Sequence, residues 1–460
     1  MYERHRSVRD AGFSGDAYKP GLDAMLSYAE FLGHPERGFR CIHVAGTNGK
    51  GTVCSMLAAA LAARGLRVGL YTSPHLLDFR ERIKIVAVPA AASLPDCRAG
   101  KPSAREARYF PPTAEAAGPS RSLAAGGQGI SGPAGPSAPL QPGTPSFSEI
   151  SEEAVGGFLE RYDREGLTFF EVTTGMAFWW FAEQKVDIAV IETGLGGRLD
   201  STNIILPELS VITSIGLDHC DLLGSTRAEI AAEKAGIFKP GVPALVWGRD
   251  AETQPVFERV AASVGAPLYY ADEILPVASP GQNDNPAALS ARITLAALRI
   301  LDGRRGAEPS ASELRAIDDA ARITGLRGRS EVLLGDPLTI CDIGHNPPAI
   351  KKMMAYLRGI RPGAPLIIVY GVMKDKAIDD IMPLLPADAE YYLVQPQTPR
   401  ALPLQELALK LKNLHIVASG SVAQGVQAAL QRARELPGAV VYIGGSTFVV
   451  SEAITYIESL

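Results

Sequence analysis

Ile42-His43-Val44-Ala45-Gly46-Thr47-Asn48-Gly49-Lys50-Gly51-Thr52 joins two periodicities through glycine. The apolar run ending at Ala45 predicts a buried strand. Beyond Thr52, Val53, Met56, Leu57, Ala60 and Leu61 recur at helical spacing, so the glycines fall in a strand-to-helix turn. Such a turn suits phosphate. Glycine lets the backbone approach an anion, consecutive N–H groups point inward, the helix N-terminus adds partial positive charge, and Lys50 adds a full one. Thr52 is placed to hold a magnesium ion. A strict phosphate-loop spacing puts glycine at the position of Val44 and Ser or Thr directly after Lys50. Neither stands here, which points away from the standard kinases and GTPases.

Upstream, Leu22, Met25, Leu26, Tyr28 and Leu32 predict a helix over 21–32. Downstream, Gly65 ends the phosphate-loop helix and 67–72 reads as a second strand. Strand, helix and strand in that order give a right-handed crossover and a parallel pair. Ligands bind outside the carboxyl ends of such strands, which brings Ser73 beside Thr52 as a candidate magnesium ligand.

Residues 86–148 are different material, holding eleven of the chain's 34 prolines among Ala, Gly, Ser and Arg. Ordering them costs on the order of 60–120 kcal/mol of backbone entropy, with little apolar surface to offset it. A disordered insertion is expected there. Regular structure resumes with a helix over 151–164, capped by Ser151 and Glu152. Thr168-Phe169-Phe170-Glu171 opens another helix. At its mouth, Thr168 and Phe170 offer a hydroxyl and a ring to a flat heterocycle, while the run Phe178 to Phe181 reads as core.

Three further strands or helices end in polar groups. Strand 187–192 closes on Glu192, followed by the glycine-rich Gly194-Leu195-Gly196-Gly197-Arg198-Leu199-Asp200. An acid there suits a nucleotide-bound metal, and a buried carboxylate needs such a partner. Strand 209–215 leads to Asp218-His219. The helix begun near Arg227 carries Glu233-Lys234-Ala235-Gly236-Ile237, where helical periodicity alone makes Lys234 a surface charge. After strand 242–247 and a long helix over 287–301, the segment 303–309 has no apolar pattern and marks a boundary.

The remainder alternates strand and helix again, with strands at 338–343, 365–372, 391–395, 415–418 and 439–443. Candidate site residues fall at its turns. Arg329 is placed to pair bidentately with phosphate and Asp342 to accept ribose hydroxyls. Asn346 precedes Pro347 as a helix cap. The fold class is therefore α/β, an N-terminal P-loop-type parallel-sheet ATPase domain plus a smaller C-terminal Rossmann-like domain. Expected bounds are 1–303 and 325–460, with a linker over 304–324.

At 460 residues two domains are the default. Hydrophobic content of 46% fits a globular enzyme, and a net charge of −5 supplies no basic field for nucleic acid. Cys41, Cys54, Cys97, Cys220 and Cys341 are scattered singly, which suits a reducing compartment. With no apolar leader and no long apolar run, a cytoplasmic protein without membrane contact is expected, and a monomer is the default.

The motifs Gly46-Thr47-Asn48-Gly49-Lys50-Gly51-Thr52, Ser73-Pro74-His75-Leu76, Glu81-Arg82-Ile83, Gly194 to Asp200, Leu217-Asp218-His219, Glu233 to Ile237 and His345-Asn346-Pro347 stand in one order. Together they resemble the folylpolyglutamate synthase and dihydrofolate synthase branch of the Mur ligase superfamily, over most of residues 20–460. The resemblance implies an ATP- and Mg2+-dependent ligase joining L-glutamate to dihydropteroate or to reduced folates. It implies ATP contacts at Thr47, Asn48, Gly49, Lys50, Gly51 and Thr52, with Arg329 and Asp342 reaching the nucleotide from the second domain. Magnesium falls to Ser73, Glu192 and His219, and the pterin end to Thr168, Phe170 and Asp200. Lys50, His219 and Lys234 are the implied catalytic groups, Lys234 as a carbamate.

Two motifs depart from the family pattern. Gly-Arg-Phe is here Gly328-Arg329-Ser330, and Asp-Gly-Ala-His-Asn-Pro is Asp342-Ile343-Gly344-His345-Asn346-Pro347. An asparagine that meets ATP near the start of the 287–301 helix aligns with Ser290, or with Asn285 across a gap. The rival readings are a Mur-type ligase acting on a cell-wall nucleotide and a nucleotide-binding module without catalysis. The Gly-Leu-Gly-Gly-Arg loop and Ser-Pro-His-Leu stand against the first. Intact Lys50, Glu192, His219 and Lys234 stand against the second.

Overall fold

The computed structural model describes residues 5, 19–88, 144–276, 286–303, 308–376 and 378–460. Eight strands build the first sheet: β1 (Arg40–Ala45), β2 (Val68–Tyr71), β3 (Ile83–Ala87), β4 (Ser146–Glu149), β5 (Ile188–Glu192), β6 (Leu209–Ile212), β7 (Ala244–Val246) and β8 (Leu268–Tyr270). Their order is β4-β3-β2-β5-β1-β6-β7-β8. All pairs from β2 to β8 are parallel, while β3 is antiparallel to β2 and β4. Because β5 and β6 flank β1 on opposite sides, the winding reverses at β1 and a crevice opens at its carboxyl end.

The helix Lys50–Ala63 is buried all along its length from Val53 to Ala62. A helix apolar all round has to be enclosed. The sheet covers one side, and the helices Pro286–Leu301, Ala311–Asp318 and Ala320–Thr324 cover the other. Residues 311–324, expected as linker, are thus two short helices. Their Ala316, Ile317, Ala320 and Ile323 complete this core, a tertiary demand that local polarity conceals.

On the opposite face, Tyr28, Phe158, Phe178 and Phe181 are fully buried against Cys41, Tyr71 and Ile191. Each such ring contributes about 1.5–3 kcal/mol by leaving water. Gly69 sits in β2 for this reason: a Cβ there would lie 2.9 Å from the Phe181 ring. Of the expected insertion over 86–148, Val86, Ala87 and Ser146 to Ser148 belong to the antiparallel pair β3 and β4. Residues 89–143 lie outside the described residues, as do 304–307 of the expected boundary.

A second sheet holds β9 (Glu331–Gly335), β10 (Leu338–Asp342), β11 (Leu366–Tyr370), β12 (Glu390–Gln395), β13 (His415–Ser421) and β14 (Val440–Gly444), in the order β13-β12-β11-β14-β10-β9. It is parallel except for the edge strand β9, which the alternating pattern did not reveal. Both faces are packed, as a parallel sheet requires. The two units meet intimately. Leu76, from the first, is 3% exposed among Ile343, Val449 and Val450 of the second, and Ser451 Oγ donates to its carbonyl.

Between the units the chain is pinned by Lys84 on β3. This lysine is 3% exposed and donates to the carbonyls of Thr324, at 2.9 Å, and Gly325, at 3.1 Å. Its ammonium also lies 4.8 Å from the centre of the Phe147 ring. Lys84→Met leaves two carbonyls without their donor and should cost about 1–3 kcal/mol. Urea unfolding followed by circular dichroism measures this; an unchanged midpoint would show that Lys84 does not hold the hinge.

Candidate active site

The phosphate loop is braced by its own hydrogen bonds. Gly46 is required because a Cβ would fall 2.0 Å from Thr213 Oγ1, and Gly49 begins the helix at φ +83°. Ser214 accepts the Thr47 N–H at 2.8 Å on its carbonyl and the Asn48 N–H at 3.0 Å on its hydroxyl. Lys50 Nζ donates to the carbonyl of Gly46, at 3.0 Å, and more weakly to that of Thr47. The loop's own oxygens therefore occupy the cation. Ser290 Oγ lies 3.5 Å from where a Cβ on Gly49 would stand, whereas Asn285 falls outside the described residues.

Glu192, 1% exposed at the end of β5, accepts the Ser73 N–H at 2.9 Å. Burial raises its carboxyl above the usual range, while Lys50, the Ser73 N–H, Arg329 and Arg82 oppose that rise. His219 lies beside Asp218, with Nε2 3.7 Å from Oδ1. Asp218, His219 and His345 place one ligand atom each within 4.8 Å of the others, so His219 faces the second domain as well as the first. Burial lowers both imidazoles to about 4. Burial would raise Asp218, but His219, His345, Lys376 and the Asn346 amide hold it below its usual value.

Lys234 is not the surface charge that helical periodicity suggests. It is 3% exposed and makes no ion pair among the described residues. Burial, reinforced by Lys50, lowers its ammonium to about 7. The Gly197 backbone packs against it so closely that a Cβ would sit 2.8 Å from the Lys234 carbonyl.

From the second domain, Asn346 caps the helix Pro347–Ile360, as expected, by accepting the Ala349 N–H at 3.1 Å. It also exchanges amide hydrogen bonds with Asn48, at 3.0 and 3.1 Å, and donates to Asp218 at 2.8 Å. Asp342 accepts the N–H groups of Ser330, at 2.8 Å, and Gly344, at 2.7 Å. Ser330 takes a left-handed φ of +49° to do so, which places Arg329 toward Gly51 and Glu192. Sequence reasoning set Asp218 beside His219 and counted the turns holding His345 and Met373-Lys374-Asp375-Lys376 among candidate site segments, but gave no individual role to Asp218, His345, Lys376 or Arg82. Their signal was present only as motif words.

A cleft of about 240 Å3 runs between the domains. Ser73, Thr168, Phe170, Asp200 and His219 line it from one side, His345 and Lys376 from the other. Thr168 spends its acceptor on the Glu171 N–H as a helix cap. The Phe170 ring lies over Gly194, where a Cβ would be 2.5 Å from it. Asp200 is 5% exposed and accepts the Leu195 N–H at 2.8 Å, so it shapes the glycine loop besides facing the cleft.

A family model described as "Mur ligase, glutamate ligase domain" matches residues 328–447. The dihydrofolate synthase/folylpolyglutamate synthase of Haemophilus influenzae is 31% identical, covering 96% of this chain and 95% of its own. The chain belongs to the folylpolyglutamate synthase and dihydrofolate synthase family. It spans 48% of the length of another family relative, a probable bifunctional folylpolyglutamate synthase/dihydropteroate synthase of Haloferax volcanii that is 30% identical over 95% of this chain. Among solved members of the family, E. coli FolC in complex with DHPP and ADP has a TM-score of 0.73 at 26% identity, covering 100% of this chain and 96% of that one. A bifunctional folylpolyglutamate synthase/dihydrofolate synthase with Mn, AMPPNP and L-glutamate bound has a TM-score of 0.69 at 28% identity, over 96% and 94%.

The two imidazoles of this family member make a pH prediction for the metal-free protein. Unfolded histidines take up protons near 6.5, whereas His219 and His345 resist until about 4. The unfolded state binds more protons in that window, so stability falls as pH drops from 6.5 to 4. Thermal melts of the His219→Gln/His345→Gln protein should show a flatter slope there than the wild type. Parallel profiles would contradict the assignment.

Proposed function

We propose that the protein is an ATP-dependent amide ligase that joins L-glutamate to dihydropteroate, to the glutamate tail of reduced folates, or to both. The observation that carries this reading is the interdomain cleft, where the Phe169 and Phe170 rings, Asp200, His219, His345 and Lys376 meet, together with an adjoining opening that shares Ser73 with it and is lined by Gly51 of the phosphate loop, the buried acid Glu192 and Arg329. The first unit, 1–303, is assigned the nucleotide and the pterin, and the second, 325–460, completes the site. No helix among the described residues is long and apolar enough to cross a membrane, and we place the enzyme in the cytoplasm as a monomer.

Thr47, Asn48, Gly49, Lys50, Gly51 and Thr52 are assigned to the ATP phosphates, with Ser290, Arg329 and Asp342 closing on the nucleotide. Ser73, Glu192 and His219 are assigned to the metal. A hydroxyl, a carboxylate and an imidazole kept neutral suit a small divalent cation, and buried Glu192 needs a positive partner. Such an ion, when bound, supplies charge to stabilise the transferring phosphoryl group. Thr168, Phe170 and Asp200 are assigned to the flat pterin end of the acceptor.

A carboxylate is a poor electrophile because oxide does not leave it at neutral pH. The acceptor's carboxylate oxygen therefore attacks the γ-phosphorus of ATP, ADP departs, and an acyl phosphate forms. Lys50 leaves its loop carbonyls to meet the charge that develops. The glutamate amine then attacks the acyl carbon, inorganic phosphate leaves, and one proton is released as the amide forms. Close packing of the domains around Leu76 keeps water from the acyl phosphate.

Two outcomes test this. Glutamate-dependent phosphate release should appear with dihydropteroate or tetrahydrofolate and not with a cell-wall nucleotide, and Lys50→Ala should lower kcat about 100- to 1000-fold. Activity with neither pterin would end the proposal. Lys234, with its ammonium near 7, presents a neutral amine able to attack CO2, losing a proton to give a carbamate. Labelled bicarbonate should give a carbamate 13C resonance that Lys234→Ala abolishes, along with most activity. Wild-type enzyme that is fully active without that resonance would refute the modification.

A further inference from the structure

We infer that His43, on the strand feeding the phosphate loop, is a positioning residue for the acceptor end of the cleft, acting through Thr202 and Asp200. The inference rests on the ligase reading above.

Side chains on β1 alternate between the two faces of the sheet. Ile42 and Val44 pack with the helix Lys50–Ala63, whereas Cys41 packs with the aromatic face and His43 shares its side. There His43 is fully buried, and its Nε2 lies 2.8 Å from Thr202 Oγ1. The Thr202 hydroxyl in turn donates to Asp200 Oδ1 at 2.5 Å. Asp200 is an acceptor throughout, taking the Thr202 N–H on Oδ1 and the Leu195 N–H on Oδ2.

These directions fix the imidazole. Because the one hydroxyl proton of Thr202 goes to Asp200, His43 must donate from Nε2, and Nδ1 is left bare. Nδ1 is buried with no hydrogen-bond partner among the described residues. An apolar side chain would fill the same space without that penalty, so the ring's contribution lies in the bond it does make.

That bond travels to the substrate side. Asp200 holds the Leu195 end of the glycine turn, Gly194 lies under the Phe170 ring, and Phe170, Gly194, Leu195 and Asp200 all line the cleft. One strand thus sets both ends of the reaction: its carboxyl end leads into the loop assigned to phosphate, and its fourth residue, His43, orients the carboxylate beneath the acceptor's ring.

The test compares Michaelis constants. His43→Leu should raise KM for dihydropteroate about tenfold while KM for ATP stays within about twofold, the size expected for one lost positioning hydrogen bond. His43→Gln returns an N–H donor to this place and should recover most of the acceptor affinity. Thr202→Val cuts the relay elsewhere, should reproduce the acceptor-specific rise, and carries the test alone if His43→Leu fails to fold. The double variant should be no worse than the poorer single. A folded His43→Leu or Thr202→Val enzyme with unchanged acceptor KM, or with both constants raised alike, overturns the inference. Histidine 15N NMR separates it from the ligase reading: a protonated Nε2 with bare Nδ1 supports the relay, and the reverse tautomer refutes it, whichever acceptor the enzyme takes.

Discussion

Asn48 and Asn346, 298 residues apart, clasp each other's amides at 3.0 and 3.1 Å. The rest of the site depends on this contact. Asn346 simultaneously caps its own helix and donates to Asp218, so a shift of the second domain by one or two ångströms breaks several hydrogen bonds together. Close approach is built into the neighbouring backbone. Gly216 lies so near Pro348 that a Cβ would be 2.9 Å from its ring, and Gly328 would meet Ile343 and Leu76 in the same way. The two sheets are therefore docked through the phosphate loop itself, and what occupies that loop is felt directly by the second domain.

Docking has an electrostatic consequence. Glu192, Asp200 and Asp342 are all pushed by burial toward their protonated forms, and Lys234 toward its neutral one. Charges taken from water without close partners are costly. Glu192 and Asp342 each retain backbone N–H donors and the distant field of Arg329, which fixes their positions without neutralising them. A cleft of this kind favours ligands that bring both signs of charge, and a metal-bound polyphosphate does so. Lys50, folded back on Gly46, is held close by in a contact it can exchange for a phosphate oxygen.

What the sequence made legible follows from range. The phosphate loop, the Ser151 cap and the strand end at Glu192 depend on neighbours within a few residues and stand where local pattern placed them, whereas the strand expected over 209–215 ends at Ile212 and His219 instead precedes the short helix Cys220–Leu223. Lys234 was misplaced by periodicity because its burial comes from the Gly197 turn, far away in sequence. Helices 311–318 and 320–324 were hidden since their apolar residues matter only against the far side of the phosphate-loop helix. Asn346 carried a readable cap, yet its bonds to Asn48 and Asp218 are tertiary. His43 looked like one more residue in an apolar strand. Only the direction of the Thr202 hydroxyl reveals its place.

The long segment between β3 and β4 falls at a sensitive position. Lys84 on β3 and Phe147 on β4 both touch the hinge peptide, and Gly325 is glycine because a Cβ would meet the Phe147 ring at 2.3 Å. What the hinge needs is the register Ala87 to Ser146, and that register is insensitive to the length of chain closing it. Loop-closure entropy rises by only about 0.6 kcal/mol per doubling, so growing from a tight turn to the stretch 88–145 costs about 2–3 kcal/mol. The ladder and the buried lysine, with contributions of similar size, can hold against that. An insertion here therefore tolerates great length, whereas a single-residue slip in either strand would turn Lys84 or Phe147 to the opposite face and release the hinge.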